Sequence, residues 1–227
     1  MHPGNENRRA MGRHLERDLD DLAKDLLTMG GMVEDATNKA ITALVRRDRA
    51  LSRQVIAVDD EINDRENQIE DRALKILALH QPVAADLRFI VTALKVNNDL
   101  ERIGDHAVSI AERSEVLSAL ESVPLPDDFQ RMVEVVQGMV RNCLNALVER
   151  DSQLARDVCM MDDEADRVHR LMYSAMQDVM RSNPALIEPA VNTISATRHL
   201  ERIADLATNI AEDVVFMVEG DILRHNY

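Results

Sequence analysis

Two pairs of carboxylates in this sequence are spaced so that each pair would lie on one face of a helix. Glu101 precedes Asp105 by four residues, and Glu201 precedes Asp205 by the same interval. Like charges at this spacing destabilise an isolated helix by about 0.2–0.5 kcal/mol. Because the same repelling pair occurs twice in one chain, we expect each pair to have a cation as its partner.

Two further polar stripes lie upstream of these pairs, on segments with helical periodicity. Their members follow intervals of four, three and four residues: Asp59, Asn63, Glu66 and Glu70 in one segment, and Asp162, Asp166, His169 and Tyr173 in the other. Carboxylate oxygens with an occasional imidazole suit iron, manganese, magnesium or zinc. Stripes that face each other from neighbouring helices would form polynuclear metal sites.

A plainer interpretation of the same residues needs no metal. Arg102 stands three residues before Asp105, and Arg202 stands three residues before Asp205. Intrahelical ion pairs at this spacing would neutralise both carboxylates, and an acidic stripe is commonly a solvated helix face. The residues alone leave both interpretations open.

Other chemistry finds little support. No Glu has a His three residues later, as a ferritin-like di-iron centre requires, and only Asp166 with His169 comes near. Glycine-rich phosphate loops and the GxSxG nucleophile motif are absent from the sequence. His106 and His199 occupy positions that are not equivalent, and we interpret them as surface residues. We therefore predict no catalytic residue and no enzymatic activity.

The helices that must position these residues belong to an internal repeat. Residues 43–61 (ALVRRDRALSRQVIAVDDE) and 146–164 (ALVERDSQLARDVCMMDDE) are identical at 11 of 19 positions, at an offset of 103. Residues 99–112 (DLERIGDHAVSIAE) match 199–212 (HLERIADLATNIAE) at an offset of 100. The difference in offset falls between these blocks, where HQP faces SNP, and turns tolerate such length changes. The chain is therefore two copies of one unit.

Prolines and apolar spacing then predict where the helices begin and end. Proline is tolerated in a first turn but not inside a helix, so Pro82 and Pro184 mark boundaries. Apolar residues recur at helical intervals between the breaks, which predicts helices at 10–46, 49–79, 83–119, 127–149, 152–181 and 185–219. Asp48 and Asp151 are expected to cap the second helix of each unit. The fold class is all-α, with two tandem three-helix bundles at 10–121 and 127–219.

Composition and charge limit the partners. About 45% of the residues are hydrophobic and only 2% aromatic, which predicts an aliphatic core. The net charge of −14 argues against binding to nucleic acid or to an anionic membrane surface. The N-terminus has no apolar signal region, and no apolar run is long enough to span a bilayer, so we expect a cytoplasmic protein without membrane insertion.

The motifs described so far, in this order, resemble those of the PhoU family of bacterial phosphate-signalling regulators. They include the two LERIxD blocks at 100–105 and 200–205, together with QPVAADLR at 81–88. DDEIN at 59–63, DDEAD at 162–166 and LLTMGGMVEDATNKAITAL at 26–44 complete the set. The resemblance covers nearly the whole chain, about residues 12–219.

The resemblance implies two similar three-helix bundles side by side, with E(D)xxxD motifs that in some members bind multinuclear iron or zinc clusters. Carried onto this sequence, the implied ligands are Asp59, Glu101, Asp105, Asp162, Asp166, Glu201 and Asp205. Asn63 stands where the fourth motif would have its second carboxylate. An amide is a weaker, uncharged ligand, so the first unit is expected to bind metal less well.

The family resemblance also implies a function. It predicts a cytoplasmic adaptor that acts with the ATPase of the phosphate ABC transporter and with the phosphate-sensing histidine kinase. Such a protein keeps the phosphate-starvation response off when phosphate is ample, and we expect it to form a homodimer. Two alternatives are a helical protein whose metal clusters serve in sequestration or sensing, and a purely structural scaffold.

Overall fold

The computed structural model describes the backbone of residues 3–220, and within that range the side chains of residues 13–126 and 128–220. Six α-helices account for most of this part of the chain, and it contains no strand. They are α1 (Pro3–Arg46), α2 (Arg49–His80), α3 (Ala84–Ser118), α4 (Asp127–Glu149), α5 (Ser152–Ser182) and α6 (Ile187–Glu219). A short 3-10 turn, Pro184–Leu186, precedes α6.

The helix boundaries predicted from prolines and periodicity are confirmed with small shifts at five of the six helices. The larger difference is at α1, which begins at Pro3 rather than at residue 10. No further proline lies between these positions, and Pro3 itself is accommodated in a first turn because its missing N–H has no intrahelical partner there.

The predicted caps of α2 and α5 are present. The Asp48 carboxylate accepts hydrogen bonds from the backbone N–H groups of Ala50 and Leu51, at 3.0 and 3.1 Å. Asp151 does the same for Gln153 and Leu154, at 2.9 and 3.0 Å. Each aspartate thereby satisfies two of the four N–H groups that a helix start leaves without a partner. The short turns before these caps make neighbouring helices antiparallel.

Helices α1, α2 and α3 contact one another, as do α4, α5 and α6, so each copy of the repeat is a three-helix unit. The two units meet mainly along α3 and α6, with a smaller contact between α1 and α4. One cluster of buried apolar side chains contains residues from all six helices. The core is therefore continuous between the units, and the bounds 10–121 and 127–219 for separate units stay a prediction.

Two polar contacts show how α3 and α6 run relative to each other. Lys95, near the start of α3, makes an ion pair of 2.7 Å with Asp213 near the end of α6. Arg113, near the end of α3, donates to the side chain of Asn192 near the start of α6, at 3.5 Å. The two equivalent helices are thus antiparallel, and a local twofold axis near Ile103 and Ile203 relates them. We call this contact the α3–α6 seam.

None of the described helices is both long enough and apolar enough to cross a membrane.

Replacing a capping aspartate tests whether these side chains define the start of the second helix in each unit. Asp48→Ala and Asp151→Ala each leave two backbone N–H groups without their side-chain acceptor. We expect each change to lower the free energy of unfolding by about 1 kcal/mol, measured by urea denaturation. Because the two caps are on different units and share no partner, the double variant should lose about the sum of the two effects. A loss within error of zero for both would show that water caps these helices equally well.

Candidate metal centre

Three carboxylates of the second unit converge between α5 and α6. Asp166 comes from α5, and Glu201 and Asp205 come from successive turns of α6. One ligand atom from each lies within 4.8 Å of the other two, and all three side chains are half-buried. We call these residues the second-unit cluster. They are three of the seven residues that the sequence predicted as ligands.

Glu201 is in the least favourable environment for a negative charge within this cluster. Its side chain is only 18% exposed. Burial, followed by the charge of Asp205, raises the pKa of its carboxyl, while Arg202 lowers it and Asp166 adds a smaller increase. The buried Oε2 atom has no hydrogen-bond partner, although Arg202 makes an ion pair with it at 3.5 Å. An unsatisfied buried carboxylate oxygen beside two other carboxylates is what a cation would stabilise, so these residues fit a metal ion.

An imidazole lies next to the second-unit cluster. The Nδ1 atom of His169 is 3.9 Å from Oε1 of Glu201. Burial lowers the pKa of His169, partly opposed by Asp166, which favours the neutral form that can bind a metal. Iron and zinc accept both carboxylate and imidazole ligands, so His169 is a further candidate ligand. Its position in the polar stripe of α5 was visible in the sequence.

Asp162, one turn before Asp166 on α5, has a different environment. Its carboxylate accepts a hydrogen bond of 3.3 Å from the hydroxyl of Thr208 on α6. It also lines a cavity of about 180 Å³ together with Asp205 and Asn209. Asp162 is not a member of the three-residue group, so the structure places it beside the cluster, on the side towards this cavity.

The predicted ligands of the first unit are also close enough to influence one another. Burial, then the charges of Asp105 and Asp60, raises the pKa of Asp59. Burial, then Asp105, Glu66 and Asp59, raises the pKa of Glu101. These effects place the carboxylates of α2 and α3 in one electrostatic neighbourhood. Glu66, a member of the polar stripe of α2, is also close enough to influence Glu101, although the family resemblance does not imply it as a ligand.

The two units nevertheless differ in how tightly their carboxylates are gathered. Among the described residues, the second-unit cluster is the group whose three ligand atoms approach within 4.8 Å, and the first unit contributes none to such a group. In the first unit the Asn63 amide lies 3.5 Å from Asp59 and donates to it. An amide that donates a hydrogen bond to a neighbouring carboxylate occupies a lone pair of that carboxylate that a metal would otherwise use.

The alternative prediction of intrahelical ion pairs is right for one unit and wrong for the other. Arg202 pairs with Asp205 at 2.9 Å, as the spacing predicted. Arg102 pairs instead with Asp99, three residues before it, at 3.2 Å. Position 99 carries an aspartate, whereas the equivalent position 199 carries a histidine. Arg102 thus has a carboxylate three residues away on either side, whereas Arg202 has one at that spacing only on its C-terminal side.

The structure brings together His106 and His199, which the sequence analysis interpreted as surface residues. Both are half-buried, and their Nδ1 atoms lie 3.3 Å apart across the α3–α6 seam. The repeat gave no signal for this contact, because the offset of 100 aligns His106 with Leu206 and His199 with Asp99. The antiparallel arrangement of α3 and α6, unknown from the sequence, brings them together.

Comparison with known sequences gives the same family for both halves of the chain. Residues 26–114 and 129–214 each match the model of the PhoU domain. A protein from Pseudomonas aeruginosa, named as a phosphate-specific transport system accessory protein PhoU homolog, is 37% identical over 226 residues, covering 96% of this chain and 93% of its own. A PhoU homolog from Thermotoga maritima is 34% identical, covering 93% and 91% of the two chains.

Solved structures resemble the whole fold. The crystal structure of PhoU from Pseudomonas aeruginosa matches with a TM-score of 0.88 and 39% identity, covering 91% of this chain and 99% of the other. The phosphate transport system regulatory protein PhoU from Streptococcus pneumoniae matches with a TM-score of 0.86 and 26% identity, covering 92% and 99%. Six helices in two repeated units are thus common to these proteins.

The pH dependence of stability should report the buried Asp99, whose side chain is 12% exposed. Burial outweighs Arg102 and raises its pKa to about 6. The folded state therefore binds this proton more tightly than the unfolded state, whose pKa is about 3.9. The stabilisation that protonated Asp99 gives to the folded state is fully present below about pH 4 and is lost as the pH rises through about 6.

We expect Asp99→Asn to remove this loss, which is about 1–2 kcal/mol after allowance for solvent near the half-exposed Arg102. The measurement is urea denaturation from pH 4 to 7, with a chelator present throughout to remove metals. The quantity compared is the slope of the free energy of unfolding against pH. Absolute values are not compared, because the variant also weakens the contact with Arg102. Equal slopes in the parent and the variant would contradict the assignment of this pH dependence to Asp99.

Proposed function

Because this chain belongs to the PhoU family, we propose that it is a cytoplasmic accessory protein of a phosphate-specific transport system. In this proposal it couples the ATPase of the phosphate ABC transporter to a phosphate-sensing histidine kinase. It keeps the phosphate-starvation response off when phosphate is ample. The observation that carries the proposal is a likeness over nearly the full length to relatives named for that transport system.

The surface of the molecule is compatible with an adaptor. Exposed apolar side chains occur at equivalent positions near the start of α3 and of α6: Leu87 and Val91 in the first unit, and Ile187 and Val191 in the second. Exposed apolar residues at four-residue spacing form a strip on a helix, and such strips are suited to protein contacts. The local twofold axis puts the two strips at opposite ends of the α3–α6 seam. We propose that partner proteins, or a second copy in a homodimer, contact these strips.

We further propose that the second-unit cluster binds iron or zinc and that the first unit binds it more weakly. The support is the convergence of Asp166, Glu201 and Asp205 and the unsatisfied oxygen of Glu201. A bound cation would supply positive charge that holds α5 and α6 together at this point. The comparisons do not support metal sequestration or sensing as the primary function, and we propose the metal as a structural part of the adaptor.

Metal content should depend more on the second unit than on the first. We expect Asp166→Asn combined with Glu201→Gln to lower the iron or zinc retained by purified protein by at least half. Each substitution removes a charge from the cluster while it keeps the size of the side chain. The matched control is Asp59→Asn combined with Glu101→Gln, which should lower the metal content less. Elemental analysis after dialysis gives the result, and equal retention by both variants and the parent would sink the assignment.

Deletion of the gene in the cell of origin tests the adaptor function directly. We expect alkaline phosphatase to be made at high phosphate in the deletion strain, because the starvation response is no longer kept off. Its activity at high and low phosphate gives the result, and expression of the parent protein should restore repression. Repression that persists after removal of every copy of the gene would contradict the proposal.

Complementation with surface variants sharpens this test. Leu87→Ser combined with Val91→Ser should restore repression less well than the parent, because the first apolar strip is lost. Val148→Ser changes an apolar residue on α4 that is more exposed than either of them, and it should restore repression fully. Equal repression by both variants would leave the adaptor function standing and remove the strip as a contact surface.

A further inference from the structure

A small apolar cavity lies where the two units meet the chain that connects them, and nothing proposed above uses it. The connecting segment 119–126, which we call the linker, joins the end of α3 to the start of α4. The cavity has a volume of about 70 Å³. Its apolar walls come from three parts of the chain: Leu44, Val45 and Leu117 of the first unit, Val123 and Leu125 of the linker, and Phe129 of the second unit.

The side of the cavity that belongs to the first unit is fixed by Arg47, the residue that follows α1. Its guanidinium group donates to the backbone carbonyls of Leu117 and Leu120 at the end of α3. A helix end leaves its last carbonyls without an intrahelical partner, so Arg47 caps α3 and also holds the beginning of the linker against the end of α1. This wall is therefore in place before any ligand arrives.

The opposite side is fixed by apolar packing against the second unit. Val123 is only 9% exposed, and it belongs to a small buried cluster with Met176, Leu186 and Ala190. The backbone N–H of Phe129 donates to the carbonyl of Pro126 at 2.9 Å, which holds the end of the linker against the first turn of α4. The cavity is thus pre-formed, so a ligand would not have to order the linker in order to bind.

The volume decides what kind of group can enter. Pockets for small-molecule ligands usually measure about 300–1,000 Å³, and an apolar cavity of about 150 Å³ holds benzene. A volume of about 70 Å³ is too small for either, and it suits a single aliphatic side chain. The mouth of the cavity is open to solvent, because Val45 and Leu125 at its edge are 46% and 42% exposed. A side chain on the surface of another protein can therefore reach it.

The charges at the mouth indicate what should flank this side chain. Glu121 borders the cavity and is exposed, and no basic side chain in the described part of the chain pairs with it. Arg47 is already bonded to two backbone carbonyls, and the whole chain carries a net charge of −14. A partner with a Lys or Arg beside its aliphatic residue would therefore complement the charge of the mouth.

The internal repeat supplies a matched control. The offset of 103 aligns Val45 with Val148 and Arg47 with Arg150. Arg150 lies over the ring of Phe89, 5.7 Å from its centroid, and Val148 is 53% exposed but is not part of the cavity. Val148 thus shares the residue type and the helix position of Val45 and has a similar exposure, without the cavity.

We propose that this cavity binds one aliphatic side chain (Leu, Ile or Val) of a partner protein, whose neighbouring Lys or Arg pairs with Glu121. Because the walls belong to both units and to the linker, an occupied cavity would tie the two units together at this end of the molecule. The contact is separate from the apolar strips of α3 and α6. It does not depend on the phosphate-related function, so its failure would leave that function standing.

The test begins with a library of random twelve-residue peptides on phage, selected on the full-length protein. We expect enriched sequences to share Leu, Ile or Val next to Lys or Arg, and one such peptide is then titrated by calorimetry. Val45→Glu and Leu125→Glu each place a charge at the mouth and should weaken its binding about tenfold or more. Glu121→Lys should weaken it about threefold, because like charges then meet. Val148→Glu should bind the peptide as the parent does.

Methyl NMR locates the contact without any substitution in the protein. In the parent, the peptide should shift the methyl signals of Leu44, Leu117 and Val123, and the same peptide with Ser in place of its aliphatic residue should not. Selection that enriches no such sequence would overturn the proposal, as would equal affinity for the parent, Val45→Glu and Leu125→Glu. A lower mass of Val45→Glu than of the parent in sedimentation would also overturn it, because the occupant would then be a second copy of this chain.

Discussion

Helices α3 and α6 pack against each other and bury aliphatic side chains along the contact between the two units. Leu100 and Ile103 on α3, and their counterparts Leu200 and Ile203 on α6, have no exposed surface. Burial of each such side chain contributes about 1.5–3 kcal/mol. Glu101 and Glu201 follow these residues directly in the chain, so the packing that buries the leucines holds the glutamates at the margin of the core. The acidic clusters exist where they do because the aliphatic contact leaves these side chains no fully solvated position.

This position at the margin determines the electrostatics of both units. A half-buried carboxylate is desolvated enough to gain from a cation and exposed enough for a cation to reach it. The second unit has gathered Asp166, Glu201 and Asp205 around one point, whereas in the first unit the Asn63 amide donates to Asp59. The same backbone therefore holds two groups of carboxylates that differ in how closely their oxygens approach one another.

Much of the fold follows from local features of the sequence, whereas the finer contacts do not. Pro82, Pro184 and the aspartate caps are signals within a few residues, so they predicted the helix boundaries well. The partner of Arg102 depended on a choice between two carboxylates at the same spacing, which periodicity cannot decide. The contact between His106 and His199 joins residues on helices of different units and depends on the direction in which α3 and α6 cross. That direction comes from the packing of the whole molecule and from no single segment.

The local twofold axis has a consequence for how the two halves can change. A chain with only one such unit could form this contact only by pairing with an identical copy, and any substitution near the axis would then appear on both sides at once. With both units in one chain, each side of the axis is encoded separately. Position 99 can carry an aspartate while position 199 carries a histidine, so one side of the seam binds an arginine and the other holds a second imidazole. Duplication within one chain thus permits a heteromeric contact between two halves that have the same fold.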